Sequence, residues 1–213
     1  EATWPPARRW DDGRWVLREG RGGGKRVCAA SARRSDAAAH VPQAERAMRA
    51  LGQRPLFMIR GGEENLDQEL MARGYRRIDP TIGYACPIAA LTASPPDRLS
   101  SFPVWEPLHI MREIWAAGGI GDDRLAVMER VQGPKTGLLA RAEGRAAGTA
   151  FVAIHESCAM LHALEVLPQF RRKGVGTKIL RNAAIWAQNQ GAETFTLVTT
   201  SGNAPSNALY TSL

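Results

Sequence analysis

Three observations predict an α+β protein, with a mixed, mostly antiparallel sheet flanked by helices and a smaller mixed α/β domain ahead of it. Three strand-like apolar segments between Gly137 and Val166 follow one another at hairpin spacing. They lead towards Gly176 to Gln190, where the apolar residues recur at helical spacing. A Pro- and Ser-rich stretch, Thr92 to Pro103, separates two parts that each read as folded. The chain is accordingly divided into an N-terminal α+β domain at 1–92, a linker at 93–103 and a second domain at 104–213. Its 213 residues suffice for one large or two small domains with a sizeable core.

In the first part, Arg14 to Glu19 and Lys25 to Ala30 flank the glycines between Gly20 and Gly24 and read as two strands of a hairpin. Gly24-Lys25 superficially suggests a phosphate-binding loop. However, Glu19 stands where the loop needs its first glycine, and Arg26 replaces the hydroxyl residue that would hold magnesium. Ala44 to Leu51 has helical spacing, Pro55 to Ile59 reads as a short buried strand, and Leu66 to Ala72 as a helix stopped by Gly74. Tyr84 to Leu91 reads as another strand. No catalytic cluster is evident here.

In the second part, Leu108 to Ala117 and Asp122 to Val131 fit helices, the latter opened by acidic residues that suit the positive end of a helix dipole. The strands Gly137 to Ala142, Gly148 to Ile154 and Ala159 to Val166 form an antiparallel meander, with a turn at Glu143-Gly144. The next helix places Ile179, Leu180, Ala183, Ala184 and Ala187 on one face and ends at Gly191. A strand from Thr194 to Thr199 and a helix from about Ala204 complete the order.

Composition narrows the function classes. Apolar residues make up 44% and charged residues 23%, which is a globular balance. No run approaches the length of a membrane span, and the first ten residues lack the features of a signal peptide, so a cytoplasmic protein without membrane partners is expected. Cys28, Cys86 and Cys158 form no paired motif, and the four histidines have no metal-ligand spacing; neither disulfides nor a metal site is expected. The net charge is +7, and residues 1–98 hold 17 basic and 12 acidic side chains, so most of the excess lies there. Such charge gives only nonspecific affinity for nucleic acid, and no recognition motif with stacking aromatics accompanies it.

The segment that carries chemistry runs from Leu164 to Thr177. A strand ends in the basic turn Arg171-Arg172-Lys173, and Gly174-Val175-Gly176 opens an amphipathic helix. The first amides of a helix have no internal partner, the dipole adds positive potential, and glycine lets the backbone approach an anion. Several adjacent donors on one short turn suit a pyrophosphate better than a carboxylate. A dinucleotide fingerprint fails, because Ile179 occupies the third glycine position and a meander precedes the turn.

From about Val104 to Leu213 the chain resembles the GCN5-related N-acetyltransferases (GNAT). Arg171 to Gly176 match the family pattern [Q/R]-x-x-G-x-[G/A], and Asn203 to Tyr210 resemble N-x-x-A-x-x-L-Y, with Ser206 in place of the usual Ala. The resemblance implies acetyl-CoA as cofactor and a primary amine, of a small molecule or a protein, as acceptor. Leu164, Glu165 and Val166 would lie on the family's splayed fourth strand and offer backbone groups to pantetheine. Arg172, Lys173, Gly174, Val175, Gly176 and Thr177 would line the pyrophosphate, with Arg171 at its side. Asn203 would bond the pantetheine, the Val166 amide would face the oxyanion, and Tyr210 would protonate the departing thiolate.

The base is less determined. Val198 occupies the position where some relatives carry Glu. Glu165 is the candidate, although strand alternation can turn it away from the cleft; His162 and Glu156 are weaker. An acyl-CoA-binding sensor without efficient catalysis is the rival reading. The family's usual Gly-Phe-like turn and last two strands have no counterpart before Leu213, and Glu1 is not Met, so both ends are expected to be trimmed or unseen. The first part reads as a degenerate acetyltransferase-like half or an appended substrate domain, and a homodimer is left open.

Overall fold

The computed structural model describes residues 1–97 and 100–213; Arg98 and Leu99, inside the segment read as a linker, lie outside the described residues. The chain divides into two compact units. One comprises Trp4–Ile78 and Asp122–Arg130, the other Glu1–Thr3, Asp79–Gly121 and Val131–Leu213.

The smaller unit contains β1 (Arg8–Asp11), β2 (Trp15–Glu19), α1 (Lys25–Cys28), β3 (Ala30–Ala32), α2 (Val41–Ala50), β4 (Phe57–Met58) and α3 (Glu64–Ala72). Its sheet has the order β1-β2-β3-β4. Trp15 and Leu17 of β2 pack with Val41, Ala44 and Met48 of α2 and with Leu66 and Leu70 of α3. Phe57 joins this core through Trp15 and Tyr75, at ring separations of 5.2 and 5.4 Å. Arg18 is buried in β2 because its guanidinium has partners: it donates to the Ala29 carbonyl at 2.7 Å and to Ser31 Oγ at 2.6 Å.

One expectation fails here. Lys25 to Ala30 is not a strand; Lys25–Cys28 form a single helical turn, and the strand begins only at Ala30. The Ala29 amide bonds back to the Lys25 carbonyl, and only Val27 of this turn is buried. Its apolar run is too short for periodicity to separate helix from strand.

The larger unit contains β5 (Thr81–Pro87), α4 (Ile88–Thr92), β6 (Ser101–Val104), α5 (His109–Ala117), β7 (Lys135–Ala142), β8 (Arg145–His155), β9 (Cys158–Val166), α7 (Val175–Asn189), β10 (Thr194–Thr200) and α8 (Ala204–Thr211). The intervening α6 (Asp122–Glu129) belongs to the smaller unit. Six strands form one sheet in the order β5-β10-β9-β8-β7-β6. The meander β7-β8-β9 is antiparallel, as the hairpin spacing implies. Its first turn places Glu143 and Gly144 at φ 53° and 74°, the left-handed pair that matches strand twist in a two-residue hairpin. α7 then crosses over, so β10 lies parallel to β9. Val175, Ile179, Leu180, Ala183, Ala184 and Ala187 of α7 are buried, which is the face read from the sequence with Val175 added.

The stretch read as a strand from Tyr84 to Leu91 divides at Pro87. Residues Thr81–Pro87 pair antiparallel with β10 over seven positions, and Ile88 starts α4. Proline has no N–H for a ladder, so it ends the strand. β6 had no sequence signal because Pro103 interrupts it; as the last strand in the sheet order it tolerates that proline. Among the described residues no helix is long and apolar enough to cross a membrane.

Candidate functional site

β9 and β10 run together only from Cys158 and Thr194 to Leu161 and Leu197. Beyond that point β10 continues to Thr200 alongside β5, while β9 continues to Val166 alongside β8. The two strands therefore splay. The cause lies on the β8 side: Phe151 faces His162 and Thr149 faces Glu165, so Ala163 and Leu164 together oppose the single residue Ala150. This is a β-bulge, which bends the strand that carries the extra residue. Ala163 has φ 52°, and its carbonyl accepts a 2.8 Å hydrogen bond from Nε1 of the buried Trp115 in α5.

Past the bulge the ladder resumes, with the Leu167 amide donating to the Ala147 carbonyl at 2.9 Å. Antiparallel bonds alternate along a strand, so the N–H and C=O of Val166 turn to the opposite edge, the one β10 has left. The Val166 carbonyl accepts there from Arg171 Nε at 2.9 Å.

Pro168–Phe170 form a short 3-10 turn that buries Phe170, and the chain reaches α7 through Arg172 at φ 62° and Gly174 at φ 75°. A side chain at Gly174 would incur roughly 1–2 kcal/mol of left-handed strain. The first bond within α7 runs from the Lys178 amide to the Gly174 carbonyl at 3.1 Å. The N–H groups of Val175, Gly176 and Thr177 precede it and have no helical acceptor, at the positive end of a 15-residue helix. A Cβ at Gly176 would stand 2.9 Å from Leu209 Cδ2 of α8, the far end of a side chain that can yield.

Two charged residues of the turn are tethered. Arg171 pairs with Glu165 at 3.0 Å, and Lys173 with Glu143 at 2.7 Å. These exposed pairs orient the turn more than they stabilise the fold. Glu165 also lies against the end of α5, where a Cβ on Gly118 would approach its carboxylate to 2.5 Å.

Asn203 is the N-cap of α8, its Oδ1 accepting from the Ser206 amide at 3.3 Å. Tyr210 is in the last turn, seven residues and about 10 Å along the helix axis from it. Burial is the main cause that raises the Tyr210 phenol above its ordinary value; a hydrogen bond from Ser206 opposes this, and nearby Tyr84 adds to it. The rings of Tyr84 and Tyr210 meet edge to face, 5.4 Å between centroids and inclined by 62°.

Thus Leu164–Val166 form the free end of the splayed strand, 171–177 form the turn beside it, and Leu209 brings the Tyr210 end of α8 against the first turn of α7. Asn203 stands at the other end of α8. The sequence reading missed Trp115, Gly118 and Tyr84. Tyr84 reaches the site through the β5–β10 pairing, for which no local pattern in the sequence gives a signal.

Residues 103–213 match the model of the acetyltransferase (GNAT) family. The chain belongs to this family. An acetyl transferase named GW6a, from Oryza sativa subsp. japonica, is 47% identical over 53 residues, a match that spans 25% of this chain and 13% of that protein. Among solved structures, a conserved protein of unknown function from Staphylococcus epidermidis superposes with a TM-score of 0.66 at 12% identity, covering 94% of this chain and 86% of the other. A GCN5-related N-acetyltransferase from Kribbella flavida superposes with a TM-score of 0.55 at 20% identity, covering 91% and 79%. Both likenesses concern the fold alone.

Proposed function

We propose that this GNAT chain is an acetyl-CoA-dependent N-acetyltransferase that moves an acetyl group to a primary amine by direct attack in a ternary complex. The acceptor is an amine of a small molecule or a protein. One observation carries the reading: β9 loses its partner β10 just before a left-handed glycine opens α7. A strand edge that β10 has left, its Val166 carbonyl held by Arg171, thus adjoins a helix start that suits a diphosphate. The three cysteines are free thiols, in keeping with a cytoplasmic enzyme.

In this reading Leu164, Glu165 and Val166 present the strand edge to pantetheine, and the amides of Arg172 to Thr177 hold the pyrophosphate. Arg171 acts by tying the turn to Glu165 and Val166. Asn203 keeps its side-chain N–H groups for the pantetheine, since its Oδ1 is engaged as a cap. The Val166 amide faces the developing oxyanion. Tyr210 stays protonated at neutral pH and gives its proton to the departing thiolate. Glu165 takes the proton of the amine nitrogen, and Arg171 restrains its carboxylate.

That restraint also supports a second reading, an acyl-CoA sensor, because a carboxylate bound by Arg171 and packed on Gly118 is hindered as a base. One experiment separates the two. The full-length protein is incubated with acetyl-CoA and a pooled amine and peptide library, and products are identified by mass. Acetylated products support the enzyme; thermal stabilisation by acetyl-CoA with no product across the pool supports the sensor.

A further inference from the structure

The larger unit contains a second tyrosine that neither the family motifs nor the proposed mechanism uses. Tyr84 lies in β5, the edge strand beside β10, and its Oη donates to Asn207 Oδ1 in α8 at 2.9 Å. Asn207 is itself fixed: its Nδ2 donates to the carbonyls of Thr200 and Ser201, both at 3.1 Å. Tyr84 is therefore held at its hydroxyl by a side chain anchored to the end of β10. Its ring meets that of Tyr210 one turn further along the same helix.

Asn207 and Tyr210 are three residues apart and so share a face of α8. A single side chain from outside the helix touches both. It ties the helix to the strand end through Asn207 and packs its ring on that of Tyr210, which also packs against the core of the unit. Ser206, where the family pattern carries Ala, lies one turn before Tyr210 and offers the phenol a hydrogen bond.

We propose that Tyr84 is a positioning residue for Tyr210: it walls off the phenol from water and fixes its direction for proton delivery. The inference rests on Tyr210 being the proton donor. In that step the Tyr210 O–H bond breaks and an S–H bond forms on the departing coenzyme A. Ser206 donates a hydrogen bond to the phenolate without transferring its own proton. The proton released by the amine nitrogen returns to the phenolate through Glu165 and solvent. Tyr84 exchanges no proton and acts through the ring beside it.

The chain has three tyrosines, so labelling with 13Cζ-tyrosine resolves the titration of Tyr210 in the free protein, whether or not an acceptor is known. Tyr84→Leu removes the wall and should move the Tyr210 midpoint down towards the ordinary tyrosine range. Tyr84→Phe keeps the wall and loses the tether. Its turnover should fall about tenfold, as expected for a misdirected group, with the KM for acetyl-CoA changed less than about twofold. An unmoved Tyr210 midpoint in a folded Tyr84→Leu protein overturns the proposal, as does full turnover in Tyr84→Phe. Failure of the underlying reading looks different: Tyr210→Phe would keep full turnover while the Tyr84→Leu titration still shifted.

Discussion

The same order of elements occurs twice in this chain, with different consequences. In the smaller unit β2 pairs antiparallel with β3, and α2 connects β3 to the parallel β4; in the larger unit β8, β9, α7 and β10 repeat that sequence. The helix starts differ. α7 begins after a left-handed glycine and has Gly176 at its second position. α2 begins after His40 at φ −115°, directly from the 3-10 helix Ser35–His40, and has Pro42 at its second position. Proline removes one of the amides that an anion would use, and the 3-10 helix runs directly into the first turn of α2. The topology is shared; the α7 start differs from the α2 start in its left-handed glycine cap and in having glycine where α2 has proline, and the proposed diphosphate site rests on that difference.

This comparison can be tested at graded cost. The largest effect is expected at Tyr210, because α3, which follows β4 as α8 follows β10, has no tyrosine. Tyr210→Phe should lower kcat by about a hundredfold, the lower range for a lost general acid. Acetyl-CoA affinity by calorimetry should be unchanged. Next, Gly176→Pro copies the α2 start into α7. Proline is tolerated in a first helical turn, but it deletes an amide that the proposed diphosphate site would use as a donor, worth about 1.5–3 kcal/mol. The dissociation constant of coenzyme A should rise about ten- to a hundredfold, with the circular dichroism spectrum retained.

Gly174→Ala should be milder. Left-handed strain of about 1–2 kcal/mol should lower Tm by a few degrees, measurable by calorimetry, with a modest loss of coenzyme A affinity. The smallest effect belongs to the smaller unit. Arg33 and Arg34 near the start of α2 pair with Asp11 and Asp36 at 2.8 and 3.2 Å. Replacing both by Ala should leave coenzyme A binding within about twofold, the change expected of surface charges alone. A larger loss would mean that the two helix starts differ less than their geometry implies.

What was legible in the sequence follows the same division. Residues 171–177 and the buried face of α7 could be read because the constraints are local: glycine at a left-handed position, and apolar residues at helical spacing. The splay of β9 was not readable from residues at all. It depends on two residues opposing one across a hairpin, and Ala163 and Leu164 carry no sequence mark of that. β5 lies in the first half of the sequence and pairs with β10, more than a hundred positions away. Long-range strand pairing of this kind hides Tyr84 from any local pattern.

The central claim is tested most directly by titrating the 15N-labelled protein with coenzyme A and following the backbone amides of both helix starts. The account predicts large, saturating shifts at Val175, Gly176 and Thr177, and none at Val41 and Gln43. Saturable binding that left 175–177 unmoved, or that shifted both helix starts alike, would contradict it.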